Sequence, residues 1–130
     1  MGKIRNNKLA AKAEVMHHFA DGQSIMIGGF NKVGVPGTLV RWLWESGVSD
    51  ITLIVNNCSN ADGGIWYPAA AMIHEGRVSH LKISYTATNT ELRQLYEEKK
   101  LEVEIIPQGT LAERLRAAGS GIGGCLTTVG

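Results

Sequence analysis

The stretch IMIGGFNKVGVP, residues 25–36, runs three apolar residues into a glycine pair and then, past a third glycine, into a proline. Read by itself it is a short buried strand over Ser24–Ile27, a loop left bare at Gly28 and Gly29, and a helix launched by Pro36. A strand that stops covering its own backbone leaves room for another backbone or a ligand to come close. The pattern G-G-F-x-x-x-G-x-P is neither the dinucleotide fingerprint G-x-G-x-x-G nor a P-loop, which needs Gly-Lys-Ser or Gly-Lys-Thr.

The same strand–loop–helix unit recurs outward from this point. Upstream, Leu9, Ala13, Met16 and Ala20 fall at helical spacing over 8–20, and Asp21-Gly22 supplies turn chemistry. Downstream, the Pro36 helix runs through Leu39, Trp42 and Leu43 to Ser46, with Gly47 as its stop. A continuous apolar run, Ile51–Val55, is the next strand. Residues 65–76 are helical in pattern provided Pro68 sits in the first turn, and Leu81–Tyr85 is a third strand. Thr88 with Glu91 forms a capping box before a polar helix over 89–99. Val103–Ile106 is the fourth strand, and Thr110 with Glu113 caps a last helix that ends at Gly119. Strict alternation of helix and strand predicts one α/β domain over residues 1–130, with a mainly parallel sheet and helices on both faces. The glycine-rich tail GSGIGGCLTTVG has no closing element.

Composition narrows the function. With 44% hydrophobic and 19% charged residues over 130 positions, the chain reads as one globular domain. Net charge is +1 and the 13 basic residues are scattered, which gives no footprint for nucleic acid or an anionic membrane. No apolar run approaches the roughly 20 residues of a membrane span. The polar N-terminus lacks a secretory apolar region, and Met1-Gly2 lacks the Ser or Thr at position 6 that myristoylation wants. Cys58 and Cys125 make no disulfide framework and fit a reducing compartment, so the expectation is a cytoplasmic protein.

Ligands of open parallel sheets bind beyond the carboxyl ends of the strands, so the residues just past each strand matter. Gly28, Gly29 and Phe30 come after the first; Asn56 and Asn57 after the second; Tyr85, Thr86 and Ala87 after the third; Pro107, Gln108 and Gly109 after the fourth. This rim is glycine and neutral amide, without a carboxylate, lysine or arginine at the tips. Asn and Gln each offer two N–H donors and one acceptor, and they stabilise negative charge on an oxygen without titrating. Each residue also has a plainer reading: Asn56-Asn57 and Gln108 as turn residues, Gly28-Gly29 as a close helix–strand contact. His17 and His18 face different directions on a helix, and His74 and His80 fit no ligand spacing, so no metal site is expected. Trp42, Trp44 and Trp66 read as core or subunit-contact residues. No nucleophile or acid/base pair declares itself; the acidic residues lie on helix faces or at strand starts.

The rim residues closely resemble the α subunit of the family I coenzyme A transferases. The resemblance runs through DGQSIMIGGFNKVGVP (21–36), ESGVSDITLIVNN (45–57) and LEVEIIPQGTLAERLRAAGSGIGG (101–124), and more loosely GRVSHLKISYTATN (76–89). It implies a NagB-like three-layer fold and a ping-pong transfer of CoA between carboxylic acids, with the CoA thioester as substrate and no bound cofactor. It also implies that the attacking glutamate lies in a Ser-Glu-Asn-Gly motif of a separate β subunit, a motif this chain lacks. By position, Asn56 and Asn57 match the Asn pair beside the reacting thioester, and Gln108 the glutamine at the oxyanion and substrate carboxylate. Gly28, Gly29, Phe30 and Gly34 match the signature loop at the junction with the catalytic subunit. On this resemblance Gln108 and Asn56 are the expected catalytic positions, and the loop residues with Asn57 the expected substrate- and CoA-binding ones. The tail and the 76–89 block look more like the acetate, butyrate and acetoacetate enzymes than the succinyl-CoA:3-oxoacid ones. The residues after Asn57 depart from the usual region. The chain also stops where a Thr-Gly-x-Gly-Thr continuation is expected, so it is read as lacking the family's C-terminal part and exposing apolar surface. Sugar-phosphate isomerases share the general architecture but need a basic phosphate clamp and an internal acid/base. A third reading is a non-catalytic remnant that acts only through protein contacts.

Overall fold

The computed structural model describes residues 8–31, 33–59 and 67–129. Met1, Gly2, the start of the helix expected over 65–76, and Trp66 lie outside them. The elements run in the order α1 (Lys12–Met16), β1 (Ser24–Ile27), α2 (Gly37–Glu45), β2 (Ile51–Asn57), α3 (Pro68–His74), β3 (Val78–Tyr85), α4 (Leu92–Glu97), β4 (Glu102–Ile105) and α5 (Gln108–Gly119). The four strands form one sheet in the order β1-β2-β3-β4, and every pairing is parallel.

Right-handed crossovers between successive neighbours in this monotonic order place all the connecting helices on the same face of the sheet. The core agrees: Ile51, Leu53 and Val55 of β2 and Val78, Leu81 and Ile83 of β3 are buried with Leu43 of α2, Met72 and Ile73 of α3, and Leu92 of α4. The other face carries Met26, Asn56, Lys82, Ser84 and Glu104 by strand alternation. Among the described elements only α5 crosses to it, through Arg114 Nη1 to Glu104 Oε1 at 2.8 Å and through Gln108 to Asn56. Helices do lie on both faces, but the covering is unequal, and Met26 remains 60% exposed. The connection after β4 thus leaves toward the opposite face from those after β1, β2 and β3, which makes a topological switch at the carboxyl ends of the strands.

Several local expectations are corrected. The helix expected over 8–20 shrinks to Lys12–Met16, whose Glu14 side chain accepts from Ala11 N at 2.8 Å. Pro36 is the residue before α2 rather than its first turn, whereas Pro68 does open α3. Neither predicted capping box forms. Helix α4 begins only at Leu92, and it is Asn89 Oδ1 that accepts from Glu91 N. Helix α5 begins two residues before Thr110, whose hydroxyl donates instead to the carbonyl of Val129 at 2.8 Å. The tail therefore does fold back: Ile122 N reaches Ala117 O, and Thr110 ties its far end to the start of α5. Arg77 closes the opposite end of the sheet by donating to the carbonyls of Val48 and Trp44 at 2.8 and 2.9 Å. A cation suits the C-terminal end of α2 that it caps.

Candidate active site at the carboxyl ends of the strands

Because the sheet is wholly parallel, the ends of all four strands open on one rim. A cleft of about 670 Å³ gathers there, lined by Gly29, Phe30, Asn31, Asn56, Ser84, Tyr85, Thr88 and Gln108. Each strand end, or the loop that leaves it, contributes at least one of these residues. Among them there is no Lys, Arg, Asp or Glu. A groove of similar size, about 700 Å³, runs along the outer edge of β4 against Leu92, Tyr96, Val103 and Ile105. That lining is largely apolar and offers surface to bury rather than groups to react, so the strand-end cleft is the candidate site.

The two asparagines separate. Strand β2 extends through Asn57, two residues further than expected, so Asn56 and Asn57 point to opposite faces of the sheet. Asn57 faces the glycine loop. Its Oδ1 accepts from Asn31 N and its Nδ2 donates to Asn31 Oδ1, both at 2.8 Å. Ser59 Oγ also donates to Asn31 Oδ1, at 2.9 Å. Asn57 is thus a latch between the end of β2 and the loop after β1, with its hydrogen-bonding capacity largely spent inside the protein. Asn56 faces the side that α5 enters. Its Nδ2 donates to Gln108 Oε1 at 2.6 Å, joining residues 52 positions apart in sequence. Gln108 is no loop residue but the first of α5, where the helix dipole adds partial positive charge.

In the glycine loop, Gly29 adopts φ +117°, and a Cβ there would stand 2.6 Å from Val35 Cγ2 and 2.9 Å from Val35 N. The backbone that comes close is the loop's own return, held by reciprocal Phe30–Val33 hydrogen bonds of 2.9 Å. Asn31 takes φ 54° at the turn, a conformation Asn tolerates better than most residues. Gly28 has open space where a side chain would go, and Gly34, at φ +73°, lies within the loop near Gly29 Cα. Gly28 lines a smaller cavity of about 150 Å³ on the Asn57 side, whereas Gly34 lines neither cavity. The two members of the glycine pair should therefore respond differently to substitution. Gly29→Ala is expected to lose about 1–3 kcal/mol from backbone strain alone, with more from the clash against Val35, while Gly28→Ala stays within about 0.5 kcal/mol of the parent. Urea unfolding of the two variants checks this.

Other chemistry in reach is inert. Burial pushes the Cys58 thiol up to about 12, so at neutral pH it is no nucleophile. On the open face, hydrogen bonds first from Lys82 and then from Arg114 hold the Glu104 carboxyl below its ordinary range, as a tied ion pair. Among the described residues no cluster of three His, Cys, Asp or Glu could hold a metal. No described helix is long and apolar enough to cross a membrane.

Reading the sequence by its strand ends misses Asn31, Ser84 and Thr88. Ser84 is legible in principle, because alternation back from Tyr85 puts it on the face of Asn56. The register Val55↔Ile83 and Asn57↔Tyr85 confirms the two as neighbours. Asn31 carries only the weaker signal of an asparagine in a glycine turn.

A parallel α/β domain with a neutral amide cleft at its switch point is the class of protein seen here, and comparison with known proteins names it. Residues 8–130 match the family model described as Coenzyme A transferase, and the chain belongs to that family. It is 41% identical over 123 residues to the acetate CoA-transferase subunit alpha of Escherichia coli strain K12, covering 95% of this chain and 54% of the relative. It is 38% identical over 125 residues to the acetoacetyl-CoA:acetate/butyrate CoA transferase alpha subunit of Clostridium acetobutylicum, covering 96% and 56%. Among solved structures, an acyl-CoA transferase of Escherichia coli in a thioester complex with CoA superposes with a TM-score of 0.70 at 18% identity, covering 87% of this chain and 23% of that one. The decarboxylase AibA/AibB superposes at 0.68 with 25% identity, covering 87% and 44%. The chain spans about half the length of the curated relatives it matches.

Proposed function

We propose that this chain is the α-type part of a CoA-transferase that moves CoA between a short-chain acyl-CoA and a carboxylate of the acetate or acetoacetate kind. The nucleophilic glutamate comes from a separate β subunit carrying a Ser-Glu-Asn-Gly motif. Relatives named as alpha subunits of acetate and acetoacetyl-CoA transferases support the substrate class and the two-chain arrangement. The observation that carries the reading is the Asn56–Gln108 amide pair in a cleft whose described lining has no carboxylate.

The chemistry fits such a cleft. The partner's carboxylate attacks the thioester carbonyl, and the tetrahedral intermediate expels CoA thiolate to leave a mixed anhydride. The thiolate then attacks the anhydride at the enzyme's own acyl carbon. This releases the first carboxylic acid as its anion and leaves an enzyme–CoA thioester. The acceptor carboxylate repeats the sequence in reverse. Every addition places negative charge on a carbonyl oxygen, and fixed amide donors stabilise that charge while staying neutral at any working pH. In this scheme Gln108 is the donor, Asn56 supports it, and Gly28, Gly29, Phe30, Gly34 and Asn57 shape the CoA-binding wall that meets the partner. The isomerase alternative lacks support, since no basic residue lines the cleft among the described residues. The deciding assay is CoA transfer from acetoacetyl-CoA to acetate by the chain alone and with its partner.

A further inference from the structure

An amide can stabilise an oxyanion only if its NH2 end, not its carbonyl end, faces the reacting oxygen. A free glutamine on a helix end rotates between the two. Here Gln108 Oε1 is held by Asn56 Nδ2 at 2.6 Å, and no described residue engages Gln108 Nε2. Asn56 in turn has a buried Oδ1 without a partner, and Ser84 on the neighbouring strand has a buried Oγ without one. An acceptor lacking a donor and a donor lacking an acceptor stand side by side on one face of the sheet.

We propose that Asn56 is a positioning residue that sets the polarity of Gln108. This deepens the function proposed above and rests on it for its kinetic arm. By occupying the Gln108 carbonyl, Asn56 turns both Nε2 protons toward the cleft. Asn56 donates to Gln108, and Gln108 alone of the two meets the oxyanion.

Asn56→Asp separates this from a merely structural role. A carboxylate is nearly the size of the amide but accepts only. It will accept a hydrogen bond from Gln108 Nε2, turn Gln108 around and present Oε1 to the cleft, where it repels the oxyanion. In the complex with the catalytic subunit, Asn56→Asp therefore loses more turnover than Gln108→Ala, that is, more than about 10²- to 10³-fold. The double variant Asn56→Asp/Gln108→Ala recovers to the level of Gln108→Ala alone, because the inverted amide has been removed. A double variant slower than both singles would overturn the proposal, since Asn56 would then be acting independently of Gln108. A readout without catalysis stands beside it. In nuclear magnetic resonance spectra of the isotope-labelled chain, side-chain amide signals are assigned by their loss in Asn56→Asp and Gln108→Ala. One Asn56 amide proton should be protected from exchange and both Gln108 protons free, and in Asn56→Asp a Gln108 proton should become protected. Protected Gln108 protons in the parent chain would also overturn it. If the complex moves no CoA, the proposed function fails while the spectra still decide the polarity.

Discussion

Purified alone, the chain will move no CoA from acetoacetyl-CoA to acetate; mixed or co-expressed with its cognate β subunit, it will. The expectation rests on the contents of the cleft. Its described lining supplies the amides of Asn31, Asn56 and Gln108, hydroxyls from Ser84, Tyr85 and Thr88, and backbone, but no carboxylate. Cys58 is buried with its thiol pushed up to about 12, and Glu104 is tied to Lys82 and Arg114. Positioned donors without a nucleophile stabilise an intermediate that never forms, so the effect of adding the partner is all or nothing. Transfer by the chain alone would mean that a nucleophile has been overlooked.

In the active complex, Gln108→Ala will lower kcat by about 10²- to 10³-fold, the usual cost of one oxyanion donor. Gln108 stands at the start of α5, where the helix dipole reinforces its amide. A group that acts only in the transition state lowers kcat and kcat/KM together. Steady-state kinetics with acyl-CoA varied at saturating acetate will therefore show KM nearly unchanged. Unchanged turnover would remove Gln108 from the chemistry, and a rise in KM alone would make it a ground-state contact.

Much of the architecture can be read in the sequence because it depends on local patterning. The apolar runs of β2 and β3 and the glycine stops between elements repeat a strand–loop–helix unit, and that unit dictates the parallel sheet and the common rim. The cleft-lining residues Gly29, Phe30, Asn56, Tyr85 and Gln108 are legible for the same reason, since each comes at or just past the end of a strand's apolar run, whereas reading by strand ends misses Asn31, Ser84 and Thr88. Features decided by contacts distant in sequence are not legible. The predicted capping box at Thr110 has the right residues, but the chain end reaches back to take its hydroxyl. Asn56 and Asn57 read as a pair, yet β2 runs on through both and alternation sends them to opposite faces, one to Gln108 and one to Asn31. Helices lie on both faces as expected, but their unequal share is not legible: the monotonic strand order puts the helices between strands together and leaves α5 to the other face. The backbone approaching Gly29 belongs to the loop itself, and no local pattern distinguishes that from an approaching ligand.

The division of labour between two polypeptides is tested most directly by weighing them. Incubating the complex with acetoacetyl-CoA and no acceptor acid should accumulate the enzyme–CoA thioester, and denaturing mass measurement of the separated chains locates the added CoA. The prediction is a CoA adduct on the β subunit's glutamate and this chain at its unmodified mass; an adduct on this chain would contradict the account.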